Sequence, residues 1–191
     1  LAALGSSFDT ASIGEIDLCL RCGVDASRLS FGNTIKKQRD IEAAYRRGVR
    51  LFAFDSEEEL LKLAEAAPGS KVFCRILVDC EGAEWPLSRK FGCELPMAAD
   101  LLERAKSLGL DPFGISFHVG SQQTDLGQFG NAITQAKSLF ETLKARGIAL
   151  RMINVGGGFP SRYNRDVPTI DAYASAIRNA VANAFPGETL D

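Results

Sequence analysis

The chain has 191 residues, 46% hydrophobic and 24% charged, which is enough for one globular domain with a sizeable core. Its 22 basic residues against 24 acidic ones leave a net charge of −2, so the basic excess needed to grip nucleic-acid phosphates is missing. No apolar run approaches the roughly 20 residues that span a bilayer, and none opens the chain as a signal peptide would, so no membrane partner is expected.

Taken in chain order, short apolar runs alternate with longer amphipathic ones. Ser6–Asp9 reads as a strand, followed by a helix over Ile16–Cys22 closed by Gly23. Arg28–Phe31 is a second strand and Arg39–Arg47 a helix stopped by Gly48. Val49–Phe54 is a third strand. Ser56 with Glu59 forms a capping box, and Glu57, Glu58 and Glu59 favour the positive end of the next helix dipole. Lys71–Val78 is a fourth strand with Arg75 buried in its middle, and 79–96 reads as irregular before a helix over Leu101–Leu108. Phe113–Val119, the helix Phe129–Arg146, Leu150–Val155 and the helix Ile170–Ala184 complete the pattern. Near-continuously apolar strands alternating with helices imply parallel βαβ units with both sheet faces covered. About six such units suit an open doubly wound sheet or a partial (β/α)8 TIM-like barrel. A complete barrel takes about 250 residues. The start at Leu1 without Met and the loop-like end suggest an internal piece of a longer protein.

The cysteines Cys19, Cys22, Cys74, Cys80 and Cys93 form an odd set, too sparse for a disulfide scaffold, and suit a reducing cytoplasm. Cys19 and Cys22 have metal-like spacing, but no second pair or histidine stands at a matching distance. They read as two small buried hydrophobes on a helix, and no metal site is expected.

Ligands of parallel α/β folds sit at the C-terminal ends of the strands, and there the sequence is polar or small. The strand exits carry Asp9 to Ser12, Gly32 to Thr34, Asp55 to Ser56, His118 to Gln123 and Asn154 to Gly158, whereas the strand starts read as lacking that bias. Gly156, Gly157 and Gly158 can bring consecutive N–H groups to a phosphate, or can form a tight turn with close backbone packing. Ser121 could share the same dianion. His118, the single histidine, could be a satisfied core residue, stack on a flat ligand, or act as acid or base. Arg75 needs a partner, either a carboxylate such as Glu15 or a ligand oxygen.

Together these segments resemble the fold-type III pyridoxal-phosphate decarboxylases, most closely the ornithine decarboxylase group and its bacterial ornithine/lysine branch. The matching runs are Phe8–Ser12 with Glu15, Phe31–Lys37, Phe54–Glu57, Leu87–Gly92, Ser116–Ser121 and Gly156–Pro160. The resemblance implies a barrel of the alanine racemase/ornithine decarboxylase type binding pyridoxal 5′-phosphate. His118 would stack on the cofactor ring, while Ser121, Gly156, Gly157 and above all Gly158 would hold its phosphate. Asp9, Glu15 and Arg75 would orient the ring and its linkage, and Lys90 would help bridge a homodimer.

The implied reaction is decarboxylation of a basic amino acid, ornithine to putrescine in polyamine biosynthesis, with the cofactor as electron sink. The family's Schiff-base lysine, its Glu-Pro-Gly-Arg segment and its C-terminal β-domain are absent from these residues. Residues 1–191 therefore read as a single incomplete barrel domain, inactive alone. Diaminopimelate, arginine or lysine decarboxylases on the same fold remain alternatives, as does a non-catalytic binding protein like the antizyme inhibitors.

Overall fold

The computed structural model describes residues 1–79, 81–85, 90–163 and 166–190. Six strands form one parallel sheet in the order β1 (Phe8–Thr10), β2 (Leu29–Phe31), β3 (Leu51–Phe54), β4 (Lys71–Arg75), β6 (Asp111–Ser116) and β8 (Met152–Asn154). The helices α1 (Ile13–Arg21), α2 (Gln38–Arg46), α3 (Glu57–Ala66), α4 (Leu95–Ser107), α5 (Gly127–Ala145) and α6 (Ile170–Ala184) cover its convex side. The sheet is a curled arc, a partial TIM-like barrel. A separate antiparallel pair joins β5 (Ala83–Trp85) to β7 (Ser121–Gln123), with Ala83 opposite Gln123 and Trp85 opposite Ser121.

Strand alternation divides the core in two. Phe52, Phe54, Val72 and Cys74 point outward into the main cluster with Leu60, Leu63, Leu102 and Leu143, whereas Ala53, Phe73, Phe113 and Met152 pack together in a second cluster. Each fully buried Phe or Leu contributes about 1.5–3 kcal/mol. Helix starts follow their caps: Ser12 accepts from Glu15 N–H, Ser56 from Glu59 N–H and Thr169 from Ala172 N–H.

Several boundaries differ from the sequence reading. Helix α4 begins at Leu95, six residues earlier than expected, because Pro96 occupies the first turn, where a missing N–H costs nothing. The stretch read as irregular contains β5, whose partner β7 follows a sharp turn at Gly120, φ 93°, and itself carries Gln122 at φ 55°. Strand β4 ends at Arg75, so the arginine stands half-buried at a strand exit, not in mid-strand. Ile76 instead bridges Cys93 in parallel. Cys22 is an exposed C-cap residue and Cys19 is half-buried, because the helix ends at Arg21 and turns that side to solvent. Cys80 and Leu87–Arg89 lie outside the described residues.

The strand starts are more polar than the sequence reading held. Arg28, Arg50 and Lys71 line a cavity of about 730 Å³ with Phe8, Leu51 and Met152. These cations are locally satisfied. Arg28 donates to the Ser6 and Ala2 carbonyls, and Arg50 donates to Tyr45 and Val49 carbonyls while lying 3.8 Å over the Tyr45 ring. Lys71 sits 4.2 Å over Phe113, and Arg151 pairs with Asp111 at 2.6 Å.

Candidate cofactor site

At the opposite rim a cleft of about 240 Å³ is lined by Asp9, Gly32, Phe73, Arg75, Ser116, Phe117, His118, Asn154, Gly156 and Gly157. Five exits of the parallel sheet thus meet at one place. Sequence reasoning named Asp9, Arg75, His118, Gly156 and Gly157, and the structure brings these together.

Asp9 anchors the β1 side. Ser30 Oγ donates to its Oδ1 at 2.7 Å, and the Asn154 side chain also acts on it as a hydrogen-bond donor. A Cβ on Gly32 would lie 1.9 Å from Asp9 Oδ1, so the carboxylate occupies the space that only glycine leaves. Burial pushes the Asp9 carboxyl above its ordinary value, opposed by the Ser30 and Asn154 hydrogen bonds and by the Arg75 charge. Arg75 therefore acts on Asp9, and its guanidinium lies 5.4 Å from the Phe91 ring. Glu15 is not part of the cleft lining. Its Oε2 accepts from Ala11 N–H at 2.6 Å, holding the start of α1, and its charge opposes ionisation of Asp9.

His118 stands two residues past the end of β6. Its Nδ1 accepts from Gly120 N–H at 3.0 Å, so the neutral ring carries its proton on Nε2. Burial first, then the Arg75 charge, holds its pKa below 6.5, and the ring is neutral at physiological pH. Across the cleft runs the glycine loop. Gly156 N–H donates to Asn154 Oδ1 at 2.9 Å. A Cβ on Gly156 would meet the Phe117 carbonyl oxygen at 2.3 Å. Gly158, at φ 92°, would meet the Gly120 carbonyl at 2.1 Å and His118 Cε1 at 3.4 Å. The sequence left a phosphate cradle and close backbone packing as alternatives, and the close packing is realised here. The N–H groups of Gly157 and Gly158 nevertheless donate to no protein acceptor among the described residues. Unpartnered amides beside a neutral imidazole fit an anionic group attached to a flat ring.

Ser121 lies in β7, outside the cleft lining, one residue beyond Gly120. Lys90 is exposed. The sequence reading quoted Gly32 and Asn154 at strand exits without a role; only the fold puts them against Asp9. Gln123 was missed in the same way. Among the described residues no group of acidic, cysteine or histidine side chains could hold a metal ion, and no helix is long and apolar enough to cross a membrane.

A curled parallel sheet with glycine amides, an imidazole and a carboxylate gathered at its C-terminal rim defines a cofactor-binding barrel. The model of the pyridoxal-dependent decarboxylase family, pyridoxal binding domain, matches residues 1–191. The chain belongs to that family, and pyridoxal 5′-phosphate is the cofactor of the domain.

Ornithine decarboxylase of Mus musculus is 39% identical over 189 residues, covering 99% of this chain and 41% of the relative. The structure of SrLDC in complex with PLP and cadaverine superposes with a TM-score of 0.89 at 36% identity, covering 100% of this chain and 48% of that one. Paramecium bursaria Chlorella virus arginine decarboxylase bound to agmatine gives 0.89 at 32% identity, covering 99% and 50%. Antizyme inhibitor 2 of Xenopus laevis is 37% identical over 97% of the chain and 41% of its own length. The chain spans half or less of the length of these relatives.

Proposed function

We propose that the protein carrying this chain decarboxylates a basic amino acid, with L-ornithine to putrescine, a step of polyamine biosynthesis, as the preferred assignment. The observation that carries the reading is the convergence of Asp9, Arg75, His118 and the glycine loop on one cleft. In this reading the His118 ring stacks on the cofactor ring, while the glycine loop Gly156, Gly157 and Gly158, through the Gly157 and Gly158 amides left free among the described residues, holds its phosphate with Ser121. Asp9 and Arg75 orient the cofactor from the other wall, and Glu15 fixes the start of α1 just past the β1 exit.

When bound, pyridoxal phosphate supplies an electron sink for the pair left behind as the carboxylate departs as CO₂. The chain's own residues supply binding and orientation. A neutral imidazole can lie flat on a cationic ring without repelling it, which the depressed His118 pKa favours. The Asp9 carboxylate, held by Ser30 and Asn154, offers a fixed negative charge beside Arg75.

The lysine that links to the cofactor, the rest of the barrel and the substrate-binding β-domain belong, on this proposal, to parts of the protein outside residues 1–191. A homodimer with Lys90 near its interface and a cytoplasmic setting complete the proposal. The free thiols Cys19, Cys22, Cys74 and Cys93 are consistent with a reducing compartment.

The test is to add pyridoxal phosphate to the full-length protein, follow its absorbance band, and then assay CO₂ release from ornithine, lysine and arginine. A band with turnover of ornithine above the others is expected. A protein that stays colourless and inert would instead act as a binding protein, and preference for lysine or arginine would reassign the substrate.

A further inference from the structure

The groups assigned to the phosphate come from two loops on different strands, so their separation must be set by contacts between them. Gln123 is fully buried between the two. Its backbone N–H donates to the Gly158 carbonyl at 2.9 Å, which ties it to the glycine loop. Its side-chain Nε2 donates to the Val119 carbonyl at 2.9 Å, just before Gly120 and Ser121, and to the Glu81 carbonyl at 3.0 Å. Its Oε1 accepts from Asp125 N–H at 2.9 Å. The Gln123 carbonyl accepts from Tyr173 Oη of α6 at 2.6 Å.

Tyr173 is itself 1% exposed and wedged edge-on against Phe129 and Phe159, at 5.9 and 5.6 Å between ring centroids. Phe159 directly follows Gly158. Gln122 adds a second tie, since its amide donates to and accepts from the backbone of Ser161. None of these bonds belongs to the six-stranded sheet. The Gln123 N–H to Gly158 and the Gln122 amide to Ser161 join one rim loop to the other, while the Gln123 side chain braces its own loop against Glu81 and Tyr173 ties the Gln123 carbonyl to the ring of Phe159. A glutamine suits the position because both amide hydrogens and its oxygen are used and it brings no charge near an anion.

We infer that Gln123 and Tyr173 are positioning residues of the phosphate site, holding the Ser121 loop and the Gly157 and Gly158 amides at the spacing one phosphate dianion spans. The inference rests on the cofactor reading above and extends it to residues that do not touch the cofactor. Glutamate at 123 would lose both donors and add a negative charge behind the anion site.

The experiment compares binding of pyridoxal phosphate and of pyridoxal, which lacks the phosphate, to the full-length protein and to its Gln123→Leu and Tyr173→Phe variants, with melting temperatures recorded in parallel. Loss of one buried hydrogen bond in Tyr173→Phe should weaken pyridoxal phosphate roughly tenfold, and Gln123→Leu more, while pyridoxal binding is unchanged. Tyr173→Phe keeps the ring packing, so it decides the matter if Gln123→Leu fails to fold. Equal weakening of both ligands, or of neither, overturns the inference and reduces the pair to a general folding role. If the unaltered protein binds neither ligand, the cofactor reading itself fails, an outcome distinct from variants that keep full phosphate discrimination.

Discussion

Gly158 and Gly120 touch backbone to backbone: the Gly120 carbonyl oxygen lies 2.1 Å from where a Cβ of Gly158 would stand. Both residues have positive φ, 92° and 93°. The two rim loops can approach this closely only because Gly158 carries no side chain at the contact. The same closeness leaves the Gly157 and Gly158 amides side by side with the His118 ring.

Gly158→Ala should therefore destabilise the protein by more than ~1 kcal/mol, since it adds both left-handed strain and a clash with backbone. Denaturant midpoints measure the cost, and pyridoxal phosphate affinity should fall with it. An unchanged midpoint would mean that the loops are not packed as described.

His118 should titrate below 6.5, because burial and the Arg75 charge disfavour its cation. Between its folded pKa and 6.5 the unfolded chain binds more protons than the folded one, so stability rises with pH there and is lost as pH falls through that window. The imidazole resonance, assigned by its disappearance in His118→Gln, gives the midpoint by NMR. A midpoint above 6.5 would contradict the geometry.

Lys36 is a buried cation, and the structure shows where its charge goes. Its Nζ pairs with Glu59 Oε1 at 2.8 Å and donates to the Asn33 and Ala53 carbonyls at 2.8 and 2.6 Å. Lys62 pairs with the other oxygen of Glu59. Burial lowers the Lys36 pKa to about 8, against the favourable pull of Glu59. Glu59→Gln should cost about 3–5 kcal/mol by leaving a buried cation uncompensated, and Lys36→Met with Glu59→Leu should recover most of it. From pH 8 towards 10.5 the unfolded chain holds the proton more tightly, so the unaltered protein should gain stability relative to that double variant. Unfolding curves at pH 7 and pH 10 make the comparison.

Residues 1–191 alone should be loosely folded or poorly soluble. Among the described residues, strands β1 and β8 each have a single neighbour in the sheet, so two strand edges stay open to pairing with other chains. Light scattering and thermal unfolding at several concentrations test this. A sharp, concentration-independent transition would refute it.

The order of strands and helices was legible because burial periodicity and caps are local. Ser56 with Glu59, and the run from Ile170 to Ala184, needed only neighbouring residues to declare themselves. The 83–85 strand was not legible, because its pairing depends on Ser121 and Gln123 some forty residues away. Polar strand starts such as Arg50 and Lys71 were passed over for a similar reason. Their neutralising rings and carbonyls are set by the turn of the sheet.

The sequence by itself determined the alternation of elements, the family and the kinds of group at the strand exits, since all of these reside in residue types and their spacing. Only the tertiary structure decided which of those groups meet. Curling the sheet sets Asn154 of its last strand beside Asp9 of its first, moves Glu15 to a helix start outside the cleft lining, and seats Gln123 between the two rim loops. Such contacts depend on strand curvature and register across more than a hundred residues, and no local pattern encodes them.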